Sequence, residues 1–279
     1  MRCFIFFALS CAACTAADSD PLAADGSPTP AQGGFATQID PPTPDYRALI
    51  AEPIRKGTEE IERPALVPLP ADAKALGDEW AQRLDAKGWL GGMGLAGKTP
   101  DGAIRFIDVL APARDFNRWV AANGWTAPRH IEWRFQAEMI VPAVAPKLAD
   151  RIRIWPGSPR RTGMQNMAAL YGKVFLRDGC FFVKGLDGKE RLAWFLGETG
   201  IATGAQGYLV LLDRVTGQVK ARVGEEMIWA GPNAGPRESE AKAVRAVCGP
   251  GEIAEVGNPE AKERFYAKLP NERPVPVNR

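Results

Sequence analysis

The sequence predicts an α+β fold, in which a small antiparallel sheet with helices precedes a C-terminal barrel- or sandwich-like β-module with two closing helices. Apolar and polar side chains alternate along Ile131–Met139, as in a strand of an antiparallel sheet with one buried face. From Ala169 onward, short strand patterns recur about every ten residues with glycine at most turns, which is typical of a barrel or sandwich.

Two helices are predicted before the sheet, over Asp45–Glu62 and Asp72–Lys87. In the second, Leu76, Trp80 and Leu84 are spaced four apart and therefore share one helix face. We expect that face to pack against the sheet.

A hairpin is predicted next, with strands over Trp89–Ala96 and Ala103–Leu110 joined by a turn at 100–102. The pattern then predicts a short helix over Ala113–Asn123. After the alternating strand, Arg151–Trp155 is expected to form one more strand.

The C-terminal module contains six predicted strands: Tyr171–Leu176, Cys180–Val183, Arg191–Leu196, Tyr208–Leu212, Val219–Val223 and Met227–Trp229. Two helices, Glu238–Val247 and Pro259–Leu269, are predicted to close the chain.

Residues 1–17 have the features of an export signal. Arg2 precedes an apolar core from Cys3 to Leu9, and the small residues from Ser10 to Ala17 offer a cleavage site. The core is shorter than the roughly 20 apolar residues that a membrane-spanning helix needs, so we expect its removal. The mature chain is then expected in an oxidising compartment without ATP.

The segment Ser10–Cys14 resembles the lipobox of bacterial lipoproteins, with Cys11 where that pattern has leucine. The resemblance implies cleavage before Cys14 and lipid attachment to it, which would hold the protein on a membrane. Two alternatives remain open: lipid attachment at Cys11, and cleavage before Asp18 to give an ordinary secreted protein.

The domain boundaries follow from changes in composition. Residues 18–44 are rich in Pro, Gly, Ala, Ser and Thr and are predicted to form a disordered tether. The division we predict is a signal peptide at 1–17, the tether at 18–44, an α+β domain at 45–155, a linker at 156–168 and a β-rich module at 169–279.

Charge and histidine content exclude two classes of function. The chain has 35 Lys and Arg against 33 Asp and Glu, whereas nucleic-acid-binding proteins are more basic. Its single histidine, His130, excludes a zinc site built from several imidazoles. We therefore expect no nucleic-acid partner, no metal and no cofactor.

Cys180 and Cys248 are the two cysteines that remain after the N-terminal region. In an oxidising compartment they are expected to form a disulfide, with two separate buried thiols as the alternative. Such a bond would stabilise the fold by about 4 kcal/mol in the loop-entropy description.

No catalytic residues are predicted. Gly92–Thr99 matches G-x-x-x-x-G-K-T, but Pro100 follows where a P-loop requires a helix, so a glycine-rich hairpin strand is the better interpretation. His130 has no neighbouring nucleophile pattern. Glu225 and Glu226 are adjacent and are expected to be a solvated pair.

The one local basic cluster surrounds Trp155 and comprises Arg151, Arg153, Arg160 and Arg161. Arginine side chains suit phosphate and carboxylate ligands, so this cluster is a candidate contact for an anionic ligand; the alternative is a solvated linker. Trp155, Trp194 and Trp229 are candidate ligand contacts, with core packing as the alternative.

The segment Leu176–Pro232 resembles β-modules of bacterial envelope proteins that carry no assigned activity. The resemblances imply an exported, lipid-anchored envelope protein. They carry no activity with them, and the function that we expect is a non-catalytic binding or structural role. The expected partners are the membrane, through the lipidated N-terminus, and an envelope polymer or another envelope protein. Alternatives are an envelope hydrolase that uses acidic residues and an accessory subunit of a secretion or assembly complex.

Overall fold

The computed structural model describes residues 34–40, 60–62, 69–95, 104–163, 166, 168–204, 207–233 and 235–273. The predicted signal peptide, Cys14 and most of the predicted tether lie outside these ranges, as do residues 96–99 of the P-loop-like motif. The predicted helix at 45–62 is described only at its end, where Glu60–Glu62 is a strand and the helix prediction is wrong.

The first sheet has four strands in the order β1-β4-β3-β2. Their bounds are Glu60–Glu62 (β1), Leu90–Leu95 (β2), Ile104–Val109 (β3) and Glu132–Phe135 (β4). The β2–β3 and β1–β4 pairs are antiparallel, whereas β3 and β4 are parallel. The predicted small antiparallel sheet is confirmed in the β2–β3 and β1–β4 pairs, and β4 lies parallel to β3 because the chain crosses over through a helix between them.

Two helices, Ala73–Lys87 (α1) and Ala113–Ala122 (α2), confirm the helix predictions in this region. Helix α1 ends at Gly88, whose left-handed conformation (φ 73°) suits glycine. Both helices contribute to an aromatic-rich core with the sheet, which includes Trp80, Leu84, Phe116, Trp133 and Phe135.

The second part of the chain forms a closed five-stranded barrel in the order β11-β12-β7-β6-β5. Its strands are Ala169–Arg177 (β5), Cys180–Gly185 (β6), Glu190–Phe195 (β7), Glu226–Ala230 (β11) and Ile253–Ala261 (β12). A three-stranded sheet of Thr199–Thr203 (β8), Leu209–Asp213 (β9) and Val219–Arg222 (β10) accompanies it. The predicted α+β class with a barrel-like module is confirmed.

The barrel core contains alternate residues of its strands, including Val174, Leu176, Phe181, Val183 and Met227. Helices Glu238–Cys248 (α3) and Lys262–Lys268 (α4) follow the barrel strands β11 and β12. A disulfide joins Cys180 to Cys248 with 5.7 Å between their Cα atoms, which confirms that prediction.

Three further element predictions are wrong. The alternating strand is shorter than Ile131–Met139, because pairing with β3 and β1 covers only β4. In the predicted strand Arg151–Trp155, Arg151 is the last residue of a 3₁₀ helix at Pro146–Arg151, and residues 152–155 join no sheet. The predicted helix Pro259–Leu269 begins only at Lys262, because β12 continues to Ala261 and pairs there with β11.

The segment between the first sheet and the barrel packs on the barrel side. Leu148 and Ile152 belong to the barrel core, and Gly157 forms an isolated parallel bridge with Phe195. The division into domains at 156–168 stays a prediction. In the described parts of the chain, no helix is both long and apolar enough to cross a membrane.

A candidate ligand pocket at the barrel mouth

One mouth of the barrel is formed by the starts of three strands and the ends of two others. Because β5 is antiparallel to both β6 and β11, and β12 is parallel to β7, the starts of β5, β7 and β12 meet the ends of β6 and β11. The residues gathered at this mouth come from four separate regions of the sequence.

A pocket of about 560 Å³ opens at this mouth. Its apolar lining includes Leu170, Val183, Leu186, Trp229, Ile253 and Ala254, and its polar lining includes Asp187, Arg191, Asn233 and Glu255. The volume lies within the range of about 300–1,000 Å³ that is usual for small-molecule sites, which are mostly apolar with a few polar groups.

Trp229 forms part of the pocket wall and is only 5% exposed. Its ring lies against Gly172 of β5: a Cβ atom there would lie 2.7 Å from Trp229 Cη2 and still closer to the Lys184 carbonyl oxygen. Glycine at 172 therefore allows the ring and two strands to meet. The Trp229 Nε1 is buried and has no hydrogen-bond partner among the described residues.

The rim carries an ion-pair network centred on Arg191. Its guanidinium donates to both Asp187 carboxylate oxygens, at 3.2 and 2.5 Å, and to Glu252 Oε2 at 3.1 Å. The hydrogen bonds from Arg191 and from the Lys189 backbone lower the Asp187 pKa to about 2. Leu186, in the same turn, is 80% exposed and extends the apolar lining toward solvent.

Glu255 is the recessed acid of the pocket. Its Oε2 accepts the Asn233 backbone N–H at 3.0 Å, whereas its Oε1 is buried with no partner in the described part of the chain. Burial raises the Glu255 pKa, and the hydrogen bonds from Asn233 oppose that shift. Asn233 is itself held in place, since its Oδ1 accepts the Asn166 N–H at 2.6 Å.

The arginines of the basic cluster predicted from the sequence contact different parts of the protein. Arg151 and Arg153 are exposed; Arg153 donates to the Asp178 carbonyl oxygen at 2.8 Å and lies over the Phe35 ring. Arg160 lies 3.6 Å from Glu240 of α3.

Arg161 is more buried than the other three arginines of this cluster, and it connects the segment that follows β4 to the loop before β8. It donates to Gln136 Oε1 at 2.7 Å and to the Ala137 carbonyl oxygen at 2.8 Å, and its Nε lies 3.5 Å from Glu198 Oε1. The anionic-ligand contact at the four arginines and Trp155 stays a prediction, and most of these side chains have intramolecular partners.

The tryptophans predicted as ligand contacts differ in their surroundings. Trp155 stacks on Phe195 with ring centroids 4.7 Å apart, and Trp194 is buried against Leu192 and Val244. Of the three, Trp229 lines the pocket. The expectation of a solvated pair is wrong for Glu225, which is buried and accepts the Arg222 backbone N–H.

Sequence reasoning missed Glu255, Arg191 and Asn233 as site residues. They are ordinary polar residues at strand ends or in a loop, and only closure of the barrel brings them together. Among the described residues, no group of three or more His, Cys, Asp or Glu is arranged to hold a metal ion.

Comparisons with protein-family models, curated proteins and solved structures give no match to this chain.

Proposed function

We propose that this chain is an exported envelope protein, lipid-anchored at Cys14, with a non-catalytic role in binding a small amphipathic ligand at the barrel mouth. The observation that carries the binding role is the apolar pocket formed by β5, β6, β7, β11 and β12. The export and the anchor rest on the N-terminal sequence pattern.

The walls of the pocket are supported independently of any ligand. Each barrel strand is hydrogen-bonded on both sides, and the loop at Pro232–Asn233 is held by hydrogen bonds to Asn166 and Glu255. A site of this kind binds without a large ordering cost, because its shape already exists in the free protein.

Binding can be tested with N-phenyl-1-naphthylamine, a neutral apolar dye whose fluorescence rises in apolar surroundings. Ala169 is exposed and lines the pocket, so Ala169→Trp should obstruct the site and weaken dye affinity about tenfold or more. The matched control is Ala168→Trp, next to it in sequence and outside the lining. Equal dye binding by both variants and the parent would contradict the proposal.

The anchor can be tested by the intact mass of the native protein extracted from membranes. We expect a chain that begins at Cys14 and carries a diacylglycerol adduct, and Cys14→Ser should release the protein from the membrane fraction. An unlipidated chain that begins at Asp18 would remove the anchor from the proposal and leave export and binding in place.

A further inference from the structure

The charged side chains in the pocket lining do not balance one another. The lining contains two acids, Asp187 and Glu255, and one base, Arg191. Arg191 is already bound to Asp187 and to Glu252 beside the rim, so its charge is compensated there. No described basic side chain forms an ion pair with Glu255, which leaves its carboxylate as the uncompensated charge of the pocket.

Glu255 also lacks hydrogen bonds that its carboxylate could accept. Two carboxylate oxygens can accept about four hydrogen bonds. Oε2 accepts from the backbone of Asn233, and Oε1 is buried with no partner among the described residues. Leaving such an acceptor unsatisfied is costly, and the cost falls if a bound molecule brings a donor to it.

The surroundings of Glu255 suit the apolar part of the same molecule. Trp229, Ile253 and Leu170 line the pocket with it, and aromatic faces attract cations as well as hydrocarbon. Leu186, which is exposed on the rim, extends this apolar surface outward. A single ligand can therefore place a hydrocarbon body against the walls and a positive group beside the acid.

Resting on the proposed binding function, we infer that the pocket takes a cationic amphiphile, a molecule with an apolar body and a protonated amine that donates to Glu255. The Oε1 atom is shielded from solvent in the free protein. Glu255 as a whole is half-buried and lines the pocket, so the inference requires its side chain to rotate and turn that oxygen toward the ligand.

Three probes with the same hydrocarbon chain separate the charge requirement from simple apolar binding: decylammonium, 1-decanol and decanoate. Titration calorimetry is performed on the full chain at pH 8, below the concentrations at which the probes form micelles. We expect decylammonium to bind about tenfold more tightly than decanol, and decanoate to bind most weakly.

The variant Glu255→Gln keeps an oxygen for the Asn233 N–H and removes the charge. It should abolish the preference for decylammonium over decanol, measured as the ratio of the two affinities within the variant. The matched control is Glu252→Gln, an acid beside the rim whose side chain is 77% exposed and lies outside the lining. It should retain most of the preference, and far-ultraviolet circular dichroism verifies that both variants fold.

The outcomes separate the two proposals. If decylammonium and decanol bind with equal affinity, or if the preference persists in Glu255→Gln, the inference of a cationic ligand is overturned. The proposed binding role of the pocket would remain. Failure of all three probes to bind, together with dye binding unaffected by Ala169→Trp, overturns the binding role and this inference with it.

Discussion

The side chain of Gln38 pairs with the backbone of Leu209 as a neighbouring peptide group would. Its Oε1 accepts the Leu209 N–H at 2.9 Å, and its Nε2 donates to the Leu209 carbonyl oxygen at 3.2 Å. The same Nε2 donates to the Val223 carbonyl oxygen at 2.6 Å, and the backbone of Gln38 bonds in both directions to Leu176. One residue near the start of the described chain thus connects the barrel to the three-stranded sheet.

Replacing Gln38 with methionine should destabilise the protein by about 2–3 kcal/mol, because the Leu209 backbone and the Val223 carbonyl lose partners in a partly buried place. Urea unfolding measures the change. The control Ile39→Ala alters an exposed side chain next to it and should change stability by less than about 0.5 kcal/mol. Similar urea midpoints for the two variants would show that the amide contributes little.

Removing the disulfide should destabilise the fold by about 4 kcal/mol, since the cross-link closes a long loop in the unfolded chain. The experiment compares the parent with the Cys180→Ser, Cys248→Ser double variant in urea, with and without dithiothreitol. The parent should lose stability in reductant, whereas the double variant should be insensitive to it. A parent unaffected by reductant, with two free thiols on titration, would contradict the bond.

The Gly172→Ala variant should destabilise the protein by about 1–3 kcal/mol, because the added methyl group meets the Lys184 carbonyl and the Trp229 ring. It should also weaken binding of the naphthylamine dye, since Trp229 forms a pocket wall. The control is Gly251→Ala, where the nearest atom would be 3.6 Å away in Leu192 and no strain is expected. Thermal unfolding and dye titration measure the two effects.

The Arg161→Met variant should destabilise the protein by about 2–4 kcal/mol, because it removes two hydrogen bonds and the ion pair with the Glu198 carboxylate. Burial lowers the Arg161 pKa, but arginine stays charged in proteins, so its removal takes a positive charge away from Glu198. The control Arg151→Met changes an exposed side chain and should lie within about 0.5 kcal/mol of the parent. Equal effects of the two variants in urea would reject the structural role of Arg161.

The stability gained by Glu255→Gln should depend on pH. The folded protein raises the pKa of Glu255 above its unfolded value, so the folded state binds that proton more tightly. Ionisation of Glu255 therefore destabilises the folded state. This destabilisation is absent below the unfolded pKa, grows between the two pKa values, and is complete above the raised pKa of the folded state. We expect Glu255→Gln to be more stable than the parent near neutral pH and equal to it in acid.

Asp187 provides a control of opposite sign, because its folded pKa is lowered to about 2. Its ionised form contributes stability above the unfolded pKa, and that contribution is lost as the pH falls toward 2. Asp187→Asn should therefore be less stable than the parent near neutral pH and approach it in acid. Urea unfolding midpoints measured across this pH range test both signs. If the midpoints of the two variants changed with pH in the same direction relative to the parent, the assigned signs would be wrong.

The sequence alone was sufficient to predict elements whose pattern lies within a short stretch of the chain. Helices α1 and α2 follow from apolar periodicity, as in the four-residue spacing of Trp80 and Leu84, and most barrel strands follow from short apolar runs between glycine turns. The disulfide could be predicted because the chain has only two cysteines beyond its N-terminal region. Composition also determined the near-neutral charge that argues against a nucleic-acid partner.

Tertiary structure decided everything that depends on distant partners. Strand β12 contains Gly257, Asn258 and Pro259, which disfavour a strand locally, and it forms because β7 and β11 pair with it. The direction of β4 was set by the crossover through α2 rather than by its own alternation. The pocket has no sequence signal, because Trp229, Arg191 and Glu255 meet only when the barrel closes.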